Sequence, residues 1–202
     1  MCVDDFELTV VPGYERYDGT VEMPHEQTYQ VKLRNFSLRR ADVELTIDGK
    51  DMGTYRIEGH GCVLLERAAH DHGKFTFFRS DSAAAAAVGA AKLTSAQRGL
   101  VQARFKPEAE NVTTISTRRD SKGMPESFVL SRGFGFDARR EVSGVTGLTG
   151  HSAQRFQTVE NLRYLPESQW VTISLRLFAV DGPRELQAAP AARGNPVPAP
   201  VD

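Results

Sequence analysis

The residues best spaced for chemistry are His70-x-His72. Two histidines two apart on a strand project to one face and can share a metal ion. A metal enzyme built on this spacing would also want a glutamate shortly after the second histidine. Gly73, Lys74, Phe75 and Thr76 stand there instead, and Asp71 suits a turn as well as a ligand. His60 is near in sequence; His25 and His151 are distant. A solvent-facing turn is therefore the expected role, with His70 and His72 kept as metal candidates and no cofactor expected.

The other chemical motifs are incomplete. His151 and Ser152 have no acid at a triad spacing, although a triad is recognised in space. Gly133-Phe134-Gly135-Phe136 after Arg132 copies a fragment of an RNA-binding aromatic motif without its setting. The segment 144–150 is glycine-rich but lacks both the P-loop lysine and a GxGxxG pattern before a helix, and it reads as a tight β-connection. Two cysteines, Cys2 and Cys62, cannot build a disulfide framework or a multi-cysteine zinc site. Cys62 opens an apolar strand and is expected to be a small buried hydrophobe. Cys2 could reach another subunit. Tyr14, Tyr17, Tyr164 and Trp170 could stack on sugar rings, with Trp170 and Tyr164 the carbohydrate candidates; packing at the core edge is the competing role for Trp170. No catalytic set emerges, and a non-enzyme is expected.

Charge narrows the partners. The 25 Lys and Arg balance 26 Asp and Glu, for a net charge of −1. A nucleic-acid binder needs a basic surplus to release counterions, so none is expected. No apolar run approaches the roughly 18 to 20 residues that span a bilayer. Residues 1–6 carry Asp4 and Asp5 where a secretory signal would be basic and then apolar, so synthesis and assembly in a cytoplasm are expected.

The elements that position these residues are strands. Val31 and Leu33 alternate with Gln30, Lys32 and Arg34; Val43, Leu45 and Ile47 alternate with Asp42, Glu44 and Thr46. A period of two marks a half-buried strand. Asp48-Gly49 is a two-residue hairpin turn that joins strands over 41–47 and 51–57. Further strands are expected over 6–11, from Tyr29, over 63–67, 74–79, 99–105, 154–160 with Phe156 inward, and 170–180. Residues 14–25 read as a loop, and 82–93 as a short helix or ordered loop capped by serine. The span 107–152 reads as an irregular excursion, with 127–130 its best strand. Pro190, Pro196, Pro198 and Pro200 mark an extended tail over 182–202. The fold expected is all-β: an antiparallel two-sheet β-sandwich of jelly-roll type over 1–181, followed by the tail.

Several runs carry a resemblance: Tyr29-Gln-Val-Lys-Leu-Arg-Asn35, Val43-x-Leu-x-Ile-Asp-Gly-Lys50, Gly53-x-Tyr-Arg56, Leu65-Glu-Arg67, Lys74-Phe-Thr-Phe77, Gly99-Leu-Val-x-Ala-x-Phe-Lys-Pro-Glu108, Gly147-Leu-Thr-Gly-His-Ser-x-Gln-x-Phe156 and Thr172-x-Ser-Leu-Arg-Leu177. Together they resemble uncharacterised β-sandwich proteins of tailed phages, large DNA viruses and microbial eukaryotes. The resemblance implies a structural or adhesive role and supplies no binding residues. The expectation is a structural protein of a virus particle: capsid decoration, head or collar fibre, or tail component. Its partners would be itself and other virion proteins, its location the virion, and subunit contacts would run through residues 1–11 and 182–202. The alternative is a carbohydrate-binding module that takes a surface glycan.

Overall fold

A computed structural model describes residues 1–109 and 142–179. The expected strand 127–130, the Gly133–Phe136 motif and the proline-rich tail lie outside these residues. The described strands are β1 (Cys2–Val3), β2 (Phe6–Val11), β3 (Tyr14–Glu15), β4 (Thr20–Met23), β5 (Gln27–Thr28), β6 (Gln30–Asn35) and β7 (Ala41–Ile47). They continue with β8 (Lys50–Ile57), β9 (Cys62–Leu65), β10 (Lys74–Arg79), β11 (Leu100–Pro107), β12 (Val142–Thr149) and β13 (Val171–Ala179). One short helix, α1 (Ala83–Ala87), is capped by Ser82, whose hydroxyl accepts the Ala85 N–H at 3.1 Å.

Two sheets form the sandwich. The smaller runs β1-β2-β6-β9, and the larger follows β5-β10-β12-β13-β11-β7-β8. Every described strand pair is antiparallel except β4 with β13. Alternation decides what each strand buries. From the small sheet Phe6, Leu8, Val31, Leu33 and Leu65 point inward; from the large sheet Val43, Leu45, Val101, Phe105, Ile173 and Leu175 meet them. Phe6 and Phe105 stack across the gap with centroids 4.6 Å apart. Burial of these side chains stabilises the fold by roughly 1.5 to 3 kcal/mol each before chain entropy is counted.

Five expectations are corrected. Residues 14–25 are not all loop: β4 adds in parallel to β13, pairing Val21 with Leu177 and Met23 with Ala179. Val21 and Met23 are buried, and four residues of alternation were too few to stand out from their polar surroundings. The segment 144–150 is no tight connection, and the irregular excursion does not extend to 152. Residues 142–149 form β12, which lies between β10 and β13. Cys62 is exposed, because the pleat of β9 sends Val63 and Leu65 inward and turns Cys62 and Leu64 outward. Residues 154–160 form no strand, and Phe156 is 38% exposed.

The glycines of β12 explain its disguise. A Cβ on Gly144 would lie 1.8 Å from the Phe77 ring, and one on Gly147 would lie 2.7 Å from the Phe78 ring. β10 places Phe77 in the main core. Phe78 belongs to a second cluster with Val145, Ala85 and Ala90, beneath α1. The two rings fill the space that side chains of β12 would occupy, so glycine there belongs to packing and does not signal a turn.

Candidate functional site

His70 and His72 lie in the connection between β9 and β10, both exposed. The Asp71 carboxylate accepts the Gly73 N–H at 2.7 Å, so this aspartate does close a turn. The ring partner of His72 is His151, with centroids 5.5 Å apart and planes at 28°. Among the described residues, no group of three or more His, Cys, Asp or Glu side chains is arranged to hold a metal ion. Ser152, the other half of the possible triad, is buried. Its hydroxyl donates to Glu66 Oε1 and accepts the Gln154 N–H at 3.0 Å. Those bonds fix a loop.

Arg67 organises that loop. It is buried, and among the described residues its guanidinium donates to carbonyls. Nε and Nη2 reach the Gln154 oxygen at 2.9 and 2.7 Å, and Nη1 reaches the Ala68 and Asp71 oxygens at 2.9 and 2.8 Å. The Phe156 ring lies over the guanidinium carbon at 4.3 Å. The Gln154 amide then accepts the Glu66 N–H at 3.1 Å and donates to the Leu64 oxygen at 2.6 Å. A side chain thus meets the backbone groups at the outer edge of β9 where another strand could pair. This is why 154–160 is not a strand: the residue expected to join a ladder uses its side chain instead. Arg67→Lys is expected to destabilise the protein by about 2 to 4 kcal/mol, since an ammonium cannot reach this fan of carbonyls and leaves some of them buried without donors. Urea unfolding checks the loss, and hydrogen exchange should show earlier opening of 151–157.

Trp170 and Tyr164 do come together, edge to face at 6.2 Å. Both are half-buried against the outer face of the large sheet. Tyr164 Oη donates to Asp42 Oδ2 at 2.8 Å, while Arg56 grips both oxygens of Asp42 at 2.8 and 3.0 Å. Burial, reinforced by the bond to Asp42, pushes the Tyr164 hydroxyl up to about 12. Trp170 Nε1 donates to the Leu165 oxygen at 2.8 Å, and Arg104 and Lys106 sit 4.6 and 4.8 Å from its ring centre. The pair straps residues 160–170 onto β7, β8 and β11.

Two grooves of mixed lining flank the sandwich. One, of about 420 Å³, runs between β8, β9 and residues 154–159, lined by Tyr55, Val63, Leu65, Phe156 and Val159. The other, of about 580 Å³, is lined by Phe6, Phe36, Leu38, Pro107, Leu165 and Val171, with Asp4, Asp5 and Arg39 also on its walls. Leu38 is 85% exposed there, and Phe36 is 39% exposed.

One polar residue escaped the sequence reading as anything but a turn. Asp48 has φ +54° and Gly49 has φ +72°, the backbone a tight hairpin demands. Its side chain is buried, and its two oxygens accept the Gly99 and Thr146 N–H groups, each at 2.6 Å. Thr146 in turn shares a hydrogen bond with the buried Tyr29 hydroxyl at 2.8 Å. Burial pushes the Asp48 carboxyl up to about 6, although both N–H donors pull the other way. The carboxylate ties the β7–β8 turn to the start of β11 and the middle of β12.

The class these features define is an antiparallel two-sheet β-sandwich with a buried polar clasp and grooves of mixed lining on its flank. Comparison with protein-family models, with curated proteins and with solved structures found no match.

Proposed function

We propose that the protein is a non-enzymatic structural protein of a virus particle, working through contacts with copies of itself and with other virion proteins. The observation that carries this reading is the groove around Leu38. Isolated surface leucines are ordinary, whereas a groove that gathers Phe36, Leu38, Leu165 and Val171 beside charged side chains suits a protein contact. Asp4, Asp5 and Arg39 line the same groove, so charge stands beside the apolar side chains, as at the rim of a protein contact. The polar clusters support the same reading. Ser152, Arg67, Asp48 and Asp42 are each occupied by partners within the chain. The virion setting rests on the resemblance described above. A carbohydrate-binding role gains the adjacency of Tyr164 and Trp170, but Arg104, Lys106 and Asp42 already engage those rings and that hydroxyl.

Light scattering on the full chain tests the assembly. The expected result is an oligomer whose mass falls on Leu38→Asp while circular dichroism and melting temperature stay unchanged. A chain that remains monomeric at high concentration removes the reading.

A further inference from the structure

We infer that His72 and His151 form a surface chelate for a borderline divalent cation such as Zn²⁺, independent of the proposed assembly groove. The two residues stand 79 positions apart in the chain, and the sheet unites them. The β10–β12 ladder runs outward to Lys74 opposite Thr149. Beyond that pair the Ser152 N–H still donates to the His72 oxygen at 2.8 Å, so the two backbones stay side by side. His72 and His151 therefore project from the same end of one ladder.

The spacing suits coordination. An imidazole nitrogen binds zinc at about 2.0 to 2.1 Å, which puts the ring centre about 3.2 Å from the metal. Two rings so bound have centres roughly 5 to 5.5 Å apart for metal angles between tetrahedral and trigonal. The observed separation is 5.5 Å. The rings are closer to parallel than a shared metal requires, at 28°, so binding needs rotation about χ2. That torsion is soft in histidine, and both side chains are exposed.

The loops beneath are held. Arg67 anchors Asp71, the Asp71 carboxylate closes on Gly73, and buried Ser152 follows His151 directly. Two ligands carried on fixed backbones lose little freedom on binding, whereas His70 sits in an exposed turn. Imidazole favours zinc, copper and nickel over magnesium or calcium, which prefer oxygen. Water completes the coordination sphere.

Isothermal titration of Zn²⁺ into the metal-stripped full chain tests this, in a Cys2→Ser/Cys62→Ser background that removes both thiols. The expected result is one site per chain, weakened at least tenfold by His72→Gln and equally by His151→Gln. His70→Gln and His60→Gln should leave it unchanged. Zinc should also raise the melting temperature of the parent protein and leave that of the His151→Gln protein where it was, since a ligand that binds only the folded state stabilises it. Absence of binding overturns the inference. So does binding that His70→Gln abolishes while His151→Gln spares it, because the metal would then sit on the His70-x-His72 turn.

Discussion

Asp48→Ala is expected to cost the fold about 4 kcal/mol near neutral pH, because it leaves two buried backbone N–H groups without acceptors. These are the amides of Gly99 and Thr146, which donate to the two Asp48 carboxylate oxygens. Alanine is also a poor occupant of φ +54°. Asp48→Asn is the gentler probe. Asparagine tolerates the backbone and keeps one acceptor, but turns an N–H₂ group toward the other amide. A loss of about 1 to 2 kcal/mol is expected at pH 7.5.

The pH dependence has a definite sign. Burial raises the Asp48 carboxyl from 3.8 to about 6 in the folded protein. Between those values the native state keeps a proton that the unfolded chain has released. The proton-linked part of Asp48's contribution to stability is therefore greatest below pH 3.8 and is lost as pH rises through 6, while the two hydrogen bonds to its oxygens remain. Lowering the pH from 7.5 to 4.5 should shift the balance between wild type and Asp48→Asn by about 2 kcal/mol in favour of the wild type. Other paired carboxylates act in the opposite direction: the hydrogen bond from Arg40 holds Glu108 below its ordinary value, and that from Arg79 does the same for Asp81. Both proteins share those groups, so the difference isolates residue 48. Urea unfolding at the two pH values measures it. A difference that stays flat removes the claim that burial governs this carboxyl.

Gly144→Ala is expected to be comparably severe, at about 3 kcal/mol or more. Its methyl carbon would fall 1.8 Å from Phe77 Cε2, and Phe77 is fully buried. The ring cannot swing aside without displacing Tyr29, Phe75 or their neighbours in the core. Phe77→Leu on the Gly144→Ala background should restore at least half the loss, since a leucine vacates the far end of the ring. Additive losses in urea unfolding would show that the glycine serves backbone freedom and not the approach of this ring.

The alternation in β2, β6, β7 and β13 was legible because each strand carries its own period: one face meets the core and the other meets water or polar neighbours. The turn at Asp48-Gly49 was legible for a similar reason, since two adjacent residues hold all the conformational information it needs. β12 was not. Its inward face runs Val142, Gly144, Thr146 and Leu148, and the space over its middle is filled by Phe77 from another strand. β4 was too short, and it is supported by β13, some 150 residues away. Residues 154–160 carried a strand-like pattern, yet a buried arginine and the amide of Gln154 claimed their place at the edge of β9.

The functional candidates divide in the same way. The sequence by itself determined the β class, the strand faces, the hairpin turn and the cap of α1, because those depend on residues within a few positions of one another. Only the tertiary structure decided that Asp48 is a buried clasp and that Tyr164 and Trp170 hold a strap. It also replaced His70 with His151 as the neighbour of His72. Each of these pairings joins residues from separate strands or loops, and their meeting depends on sheet order and register, which no local run of side chains encodes.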